Sequence, residues 1–402
     1  MSHHPIKILY AKILSGIAII AVVFGAGLYI GFDSGSHRAV AEERVNLSAF
    51  WKVWDVLNER FVPGTSTKAV SDEEKINGAI KGLVESVGDP YTVYFPPQEL
   101  SAFEENIQGN FEGVGMEVGL KDDVLTVIAP LKGSPAEKAG VQAGDKVLAI
   151  NGTTTEGMSV DKAIKLIRGK AGTEVTITFR SSDKEKAKDI TIVRDVIKIP
   201  AVETELRKDK IFVIRISSFT ATAATEFKDA LREFVNSKSD KLIIDLRNNP
   251  GGYLDAAVDM ASWFLPQGKV VVSEDFGTNS SEEAKVLRSR GYDIFSSKLK
   301  TVILINGGSA SASEILAGAL KEHGKATLVG ETTFGKGSVQ ELVPITKDTS
   351  LKVTIARWLT PNGNSISLRG IDPDVKVELT EDNIKDKKDA QLDKAVEILL
   401  KK

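Results

Sequence analysis

The chain has 402 residues, 42% apolar and 27% charged, with a formal net charge of −3. That is a globular profile of two or three domains, with no basic surplus to grip a phosphate backbone, so nucleic acid is set aside as a ligand. Cysteine is absent and His323 is the only histidine in the body, since His3, His4 and His37 flank an apolar segment; disulfides, iron–sulfur clusters, cysteine nucleophiles and multi-histidine metal centres are thereby excluded, and a serine nucleophile would have to use His323 or a different kind of base.

Residues 13–32 are free of charge, preceded by Lys7 and Lys12 and followed by Asp33. At 1.5 Å per residue the run spans about 30 Å, enough to cross a bilayer. The positive-inside rule puts residues 1–12 in the cytoplasm and the body outside. Ala39-Val-Ala has the small-x-small form of a signal cleavage site, but the apolar run is long for a signal peptide and ends well before it. The expectation is a retained transmembrane anchor with a periplasmic or extracellular body, with secretion after cleavage as the alternative.

Residues 45–110 read as a helical region. Phe50, Val53, Trp54, Leu57 and Phe61 form a stripe at helical spacing, Pro63-Gly64 ends it, and Ser71-Asp-Glu-Glu offers the cap of a second helix. A third, short helix is expected from Ser101. Residues 111–195 change character: β-rich runs at 124–128, 146–150, 174–179 and 189–193 are separated by glycine turns and interrupted by helical pieces at 134–139 and 159–167. From 196 to 380 strand-like runs (211–216, 241–246, 301–305, 326–330) alternate with helices (221–236, after Gly252, 313–323), the pattern of an α/β layer. The tail 381–402 ends in an amphipathic helix carrying Leu392, Val396, Leu399 and Leu400.

Gly113 and Gly115 bracket a turn just before a strand, so that the backbone N–H groups of Gly113, Val114, Gly115 and Met116 can converge on a terminal carboxylate. Downstream, the run G-S-P-A-E-K-A-G-V-Q-A-G-D-K-V-L-A-I-N-G at 133–152 resembles the PDZ family. The resemblance implies that a peptide tail adds as a strand beside residues 116–120, with its carboxylate at 113–116 and an apolar pocket for the last side chain. Arg168, at the end of the helix beside that pocket, is the candidate for coupling peptide occupancy to the neighbouring domain.

The run T-V-I-L-I-N-G-G-S-A-S-A-S-E-I-L at 301–316 reads as buried strand, glycine turn and helix. A serine on such a turn stands at a helix N-terminus, where partial positive charge favours an alkoxide and a developing oxyanion. Ser309, Ser311 and Ser313 all qualify, and one of them, with Ser313 preferred, caps the helix. G-E-T-T-F-G-K-G-S-V-Q at 330–340 sets Lys336 between glycines with no acidic residue within four positions. A base lysine must lose its proton, and bringing its pKa from about 10.4 to about 7–8 costs roughly 3–4 kcal/mol of desolvation, which small neutral surroundings favour. Gln340 can accept from the amine without adding charge. The Walker spacing is missing, which argues against nucleotide binding. His323 reads as a helix C-terminal residue.

These two runs, with D-L-R-N-N-P-G-G at 245–252, G-D-P-Y-T at 88–92, L-T-P-N-G at 359–363 and G-I-D-P-D at 370–374, resemble the C-terminal processing peptidases, from about residue 45 onward. The resemblance implies a serine endopeptidase with a Ser/Lys dyad, a crotonase-like layered α/β core and an inserted PDZ β-barrel-like domain. In that family the nucleophile is the middle serine and lies 25 residues before the lysine, which selects Ser311 and Lys336, with Gln340 in support. Ala312 N–H is the natural first oxyanion donor and Gly252 the second by resemblance, with Gly251 as fallback. No metal or organic cofactor is implied. The partners implied are proteins or peptides with apolar C-termini and the membrane; homo-oligomer, regulatory partner and substrate protein stay open. The rival functions are a catalytically silent PDZ scaffold and a small-molecule amidase or esterase.

Overall fold

The computed structural model describes residues 45–62, 70–181, 186–277, 283–295, 299–380, 383 and 388–401. The expected anchor at 13–32 lies outside them, and among the described residues no helix is long and apolar enough to cross a membrane. The chain divides into two compact units, Met1–Asp72 and Glu73–Lys402. The first holds α1 (Ser48–Arg60), which forms where the apolar stripe predicted it yet buries none of its residues. Helix α2 (Asp72–Glu85) begins at the division.

The region 45–110 is not wholly helical. Strand β1 (Val93–Phe95) follows α2, and α3 (Pro97–Gln108) starts four residues earlier than expected, with Pro97 at its first turn where a missing N–H costs nothing. Strand β2 (Asn110–Gly113) then pairs antiparallel with β9 (Asp195–Lys198), closing the stem of an inserted module. Between them lie β3 (Met116–Lys121), β4 (Val124–Pro130), α4 (Pro135–Lys138), β5 (Lys146–Ile150), β6 (Thr153–Thr154), α5 (Val160–Ile167), β7 (Glu174–Arg180) and β8 (Lys188–Val193). The strands form one antiparallel sheet in the order β3-β4-β5-β7-β8, with β6 against β5. Ser134 and Ser159 cap α4 and α5 through their side-chain oxygens. Val114, Leu125, Val127, Val147, Ile150, Ile177 and Phe179 fill the module's own core. Strand β3 is an edge, and α5 packs beside it.

The core begins with β10 (Val202–Leu206), β11 (Phe212–Ile216), α6 (Ala223–Ser237), β12 (Lys241–Asp245), α7 (Leu254–Ser262), β13 (Val270–Asp275) and β14 (Lys285–Arg288). It continues with β15 (Lys300–Ile305), α8 (Ala312–Glu322), β16 (Thr327–Gly330), β17 (Ser338–Pro344), β18 (Ser350–Leu359), β19 (Val375–Lys376) and α9 (Ala390–Leu400). Strands β11, β12, β15, β16 and β19 are parallel in that order, and β10 adds antiparallel at one edge. Their side chains alternate between two apolar layers. Ile214, Ile216, Leu242, Ile244, Ile303 and Ile305 pack with α6, α7 and α8, while Val213, Ile243, Val302 and Leu304 pack with Ala395 and Leu399 of α9. Both faces are buried, which is why these strands read as continuous apolar runs.

A second, antiparallel sheet is built on β18, the ten-residue strand. Strand β17 runs along one side of it, β1 and β13 share the other, and β14 extends β13. None of these five strands was expected. Their runs are short or polar on one face, and β1 pairs across more than 250 residues of chain, with Val93 opposite Lys352.

Candidate active site

The serine turn joins the C-terminal end of β15 to α8. Ser309 and Ser313 are fully buried and their hydroxyls are committed: Ser309 donates to the Leu246 carbonyl at 2.8 Å and Ser313 to the Asn249 carbonyl at 3.0 Å. Ser311 alone of the three keeps solvent exposure, and its backbone is left-handed, φ 56°. A non-glycine residue held in that region signals strain retained for a purpose. The expectation that Ser313 caps α8 is corrected: Ser311 stands at the cap position, and Glu314 returns its side chain to the Ser311 N–H at 2.8 Å.

The loop after β12 is clamped to this turn. Asn249 is fully buried; its carbonyl accepts from Ala310 N–H, its amide donates to the Ile216 carbonyl, and its Oδ1 accepts from Gly251 N–H at 2.9 Å. Gly251 N–H is therefore occupied. Among the described residues no acceptor meets the N–H of Gly252 or of Ala312. Gly252 has φ 143°, and a Cβ there would stand 2.2 Å from the Phe219 carbonyl oxygen, so only glycine fits. Beside it, Tyr253, Thr220, Asp255, Trp263 and Arg290 line a groove of about 600 Å³.

The lysine turn, between β16 and β17, is held by one buried carboxylate. Glu314 Oε1 accepts from Thr333 Oγ1 at 2.6 Å and Gly335 N–H at 2.7 Å, while Oε2 accepts from Lys336 N–H at 3.1 Å as well as Ser311 N–H. A single oxygen atom thus ties the serine turn to the lysine turn, and all four acceptor sites of the carboxylate are used. Burial pushes the Glu314 carboxyl above its usual range, against the pull of these four donors. Sequence reading missed Glu314; its place three residues after Ser311, the capping-box spacing, was the available signal.

Burial lowers the Lys336 amine below the ordinary lysine value, and the nearby Lys352 charge lowers it further; Glu314 and Asp89 pull the other way. The expectation of neutral surroundings holds for the sequence neighbours and fails in space. Lys336 Nζ lies 5.2 Å from the centre of the Tyr91 ring, and among the described residues no hydrogen bond joins it to Ser311 Oγ. Tyr91 and Asp89 come from the G-D-P-Y-T loop, which docks on β18: Asp89 accepts from Thr354 Oγ1 and Thr92 Oγ1, and Thr92 Oγ1 accepts from Thr354 N–H. Burial would raise the Asp89 carboxyl, but these hydrogen bonds and those from the Tyr91 and Thr92 backbone hold it below its usual range. Gln340 was expected to meet the amine; its amide instead donates to Ser338 Oγ at 2.8 Å and Thr354 Oγ1 at 3.3 Å. His323 ends α8, about 18 Å along the helix from Ser311, with its ring nitrogen 2.7 Å from the Val270 carbonyl.

In the inserted module, Val114 and Gly115 offer their carbonyls to Ala136 and Leu131, and the loop leads directly into the free edge of β3. Arg168, just past α5, reaches out of the module to Glu105 of α3 at 3.0 Å and lies 4.5 Å over the Phe111 ring.

Fold and site together define a serine-type endopeptidase with an accessory PDZ domain. Residues 210–377 match Peptidase family S41, residues 126–181 a PDZ domain and residues 33–98 the Activating protease CtpB N-terminal domain. The chain is 38% identical over 328 residues to the "Carboxy-terminal processing protease CtpA" of Bacillus subtilis (strain 168), covering 81% of this chain and 69% of that one. It is 36% identical over 370 residues to the "Probable CtpA-like serine protease" of Staphylococcus aureus (strain bovine RF122 / ET3-1), covering 92% and 72%. A solved chain from Bacteroides fragilis NCTC 9343 assigned to the S41 proteases shares the fold, with TM-score 0.52 and 17% identity over 87% of this chain and 96% of that one. The chain belongs to peptidase family S41, among the carboxy-terminal processing proteases. The scaffold and small-molecule amidase alternatives fall away.

Proposed function

We propose that Ser311 is the nucleophile and Lys336, in its neutral form, the base. Lys336 takes the hydroxyl proton as Ser311 attacks the scissile carbonyl, then gives it to the leaving amine; water resolves the acyl-enzyme by the same route in reverse. Gly252 and Ala312 N–H hold the oxyanion, and Gln340 supports the lysine once it has left the Tyr91 ring for Ser311. The observation that carries this reading is the division of labour on the serine turn: two hydroxyls are buried in backbone bonds, and the third stands on strained, partly exposed backbone. The two unpartnered N–H groups beside it support the oxyanion assignment.

The PDZ domain, taken as residues 111–195, captures the C-terminal tail of a protein substrate as an added strand on β3. The unpaired edge of β3 and the N–H groups of Gly113, Val114, Gly115 and Met116 support this. Arg168, bridging to Glu105 of α3, is the contact through which tail occupancy leaves the module for the neighbouring region. The core, residues 196–380, is crotonase-like in its layering. The body works outside the cytoplasm on an anchor at residues 13–32, a reading supported by the length and flanking charges of that run.

The test is one peptide in three forms: free acid, C-terminally amidated, and ending in Asp. Losing a charge-assisted contact to backbone N–H groups costs about 1.5–3 kcal/mol, roughly 10- to 150-fold in affinity. Calorimetry should show that loss for the amide, and a comparable one for the Asp ending, whose unpaired charge an apolar pocket cannot bury. Equal binding and equal cleavage of all three would mean that the protein does not read C-termini.

A further inference from the structure

The segment 365–370 carries an anomaly that the dyad does not explain. Leu368 is 94% exposed and has φ 62°, a left-handed conformation that a leucine adopts only when its surroundings impose it. Those surroundings are the lysine turn. Leu368 N–H donates to the Gly335 carbonyl at 2.9 Å, and Ile371 N–H donates to Thr333 Oγ1 at 2.7 Å. Thr333 N–H returns to the Ile371 carbonyl, and Gly370 N–H closes back on Ile366, whose side chain is buried. The backbone on both sides of Leu368 is therefore fixed, and its side chain is held out into solvent.

A second large apolar side chain stands on the same turn. Phe334 is 56% exposed although it lies between the buried Thr333 and the glycine that precedes Lys336. Its N–H donates to the Ser309 carbonyl at 3.0 Å, which fixes it against the serine turn. A polar residue at either position would be cheaper in water, and glycine or asparagine would relieve position 368. Exposed leucine and phenylalanine thus stand on fixed backbone, the phenylalanine bonded to the serine turn and the leucine to the lysine turn.

We propose that Phe334 and Leu368 form an apolar subsite that receives a large apolar side chain of the substrate next to the scissile bond. Its occupant is the polypeptide being cut, since the two residues adjoin the catalytic turns rather than the β3 edge where the tail is captured. Selection then has two independent stages: the PDZ domain reads the C-terminus, and Phe334 with Leu368 reads the cleavage point. This rests on the Ser311 reading above.

The experiment uses the full chain and its Leu368→Asn and Phe334→Ser variants, with a peptide library in which each position within three residues of the cleaved bond is varied from Leu to Ser. Cleavage is followed by mass spectrometry and folding by thermal unfolding. For the parent protein, one position should prefer Leu over Ser by about tenfold or more in kcat/KM. In Leu368→Asn and Phe334→Ser that preference should collapse to within about threefold, because the Leu-containing peptides lose more rate than the Ser-containing ones. The melting temperature of Leu368→Asn should hold or rise, because asparagine tolerates the left-handed conformation. An unchanged preference, or a uniform loss over all peptides, would overturn the subsite and leave segment 365–370 as a brace for Lys336. Ser311→Ala run in parallel separates the two readings: residual full activity there would sink the nucleophile assignment, whatever the library shows.

Discussion

The glycine loop at 113–116 and the serine turn at 308–312 both swing the backbone through the left-handed region, at Gly115 (φ 75°) and Ser311 (φ 56°). They solve the steric problem in opposite ways. At 115 a Cβ would stand 2.4 Å from the Ser134 Cβ, and the loop needs only backbone there, so glycine serves without strain. At 311 the proposed nucleophile needs a hydroxyl, so an L side chain is kept in a conformation that costs about 1–2 kcal/mol. The Glu314 carboxylate with four hydrogen bonds, and the Asn249 side chain and carbonyl with four, are what hold it. On the proposed roles, the binding loop is relaxed and the nucleophile turn is braced.

The largest effect expected from breaking this contrast is at Ser311 itself. Ser311→Ala should lower kcat by about a thousandfold or more in a peptide-cleavage assay while the fold survives. Ser311→Gly should be equally inactive yet melt at a higher temperature than Ser311→Ala, because glycine removes the strain. If the alanine variant is the more stable of the two, Ser311 is not strained as described.

Next comes the brace. Glu314→Gln turns an NH₂ group toward two backbone N–H donors in a fully buried position, which should cost about 2–4 kcal/mol of stability or activation energy. It also removes an anion that favours the Lys336 ammonium, so the rising limb of the pH–rate profile should move to lower pH. A Glu314→Gln enzyme with parent rates and an unmoved profile would show that the carboxylate does not organise the site.

The pH profile can be moved in both directions by smaller changes. Activity should rise with pH as Lys336 loses its proton, from a pKa already lowered by burial and by Lys352. Lys352→Met removes a repelling charge and should shift the limb upward; Asp89→Asn removes an attracting one and should shift it downward. Shifts of the same sign in both variants would contradict the electrostatic account.

How much of this was legible follows from distance along the chain. The PDZ helices were read to within a residue at each end because Ser134 and Ser159 cap them locally, and the parallel strands equally closely because both faces are apolar. The sheet around β18 was not legible, since β1 reaches it from another region and β17 alternates without a strong apolar face. The serines and Lys336 stood out as motifs, whereas Asp89, Tyr91 and Lys352 reach the amine only through folding. Gln340 was read from its place four residues after Lys336 and from the family resemblance, and Ser338 and Thr354 compete for it in space.

The smallest effect lies on the glycine side. Gly115→Ala forces a Cβ against Ser134 and should cost about 1–3 kcal/mol, seen as weaker binding of a free-acid peptide in calorimetry. Cleavage of a short generic peptide should hardly change, because the serine turn is built separately.

The dyad is tested most directly by a fluorophosphonate probe that labels an activated serine, with the adduct mapped by mass spectrometry across pH. One adduct, on Ser311, forming faster as pH rises and slowing at least a hundredfold in Lys336→Ala, is the predicted result. An adduct on Ser309 or Ser313, or labelling of Ser311 at the parent rate without Lys336, would contradict it.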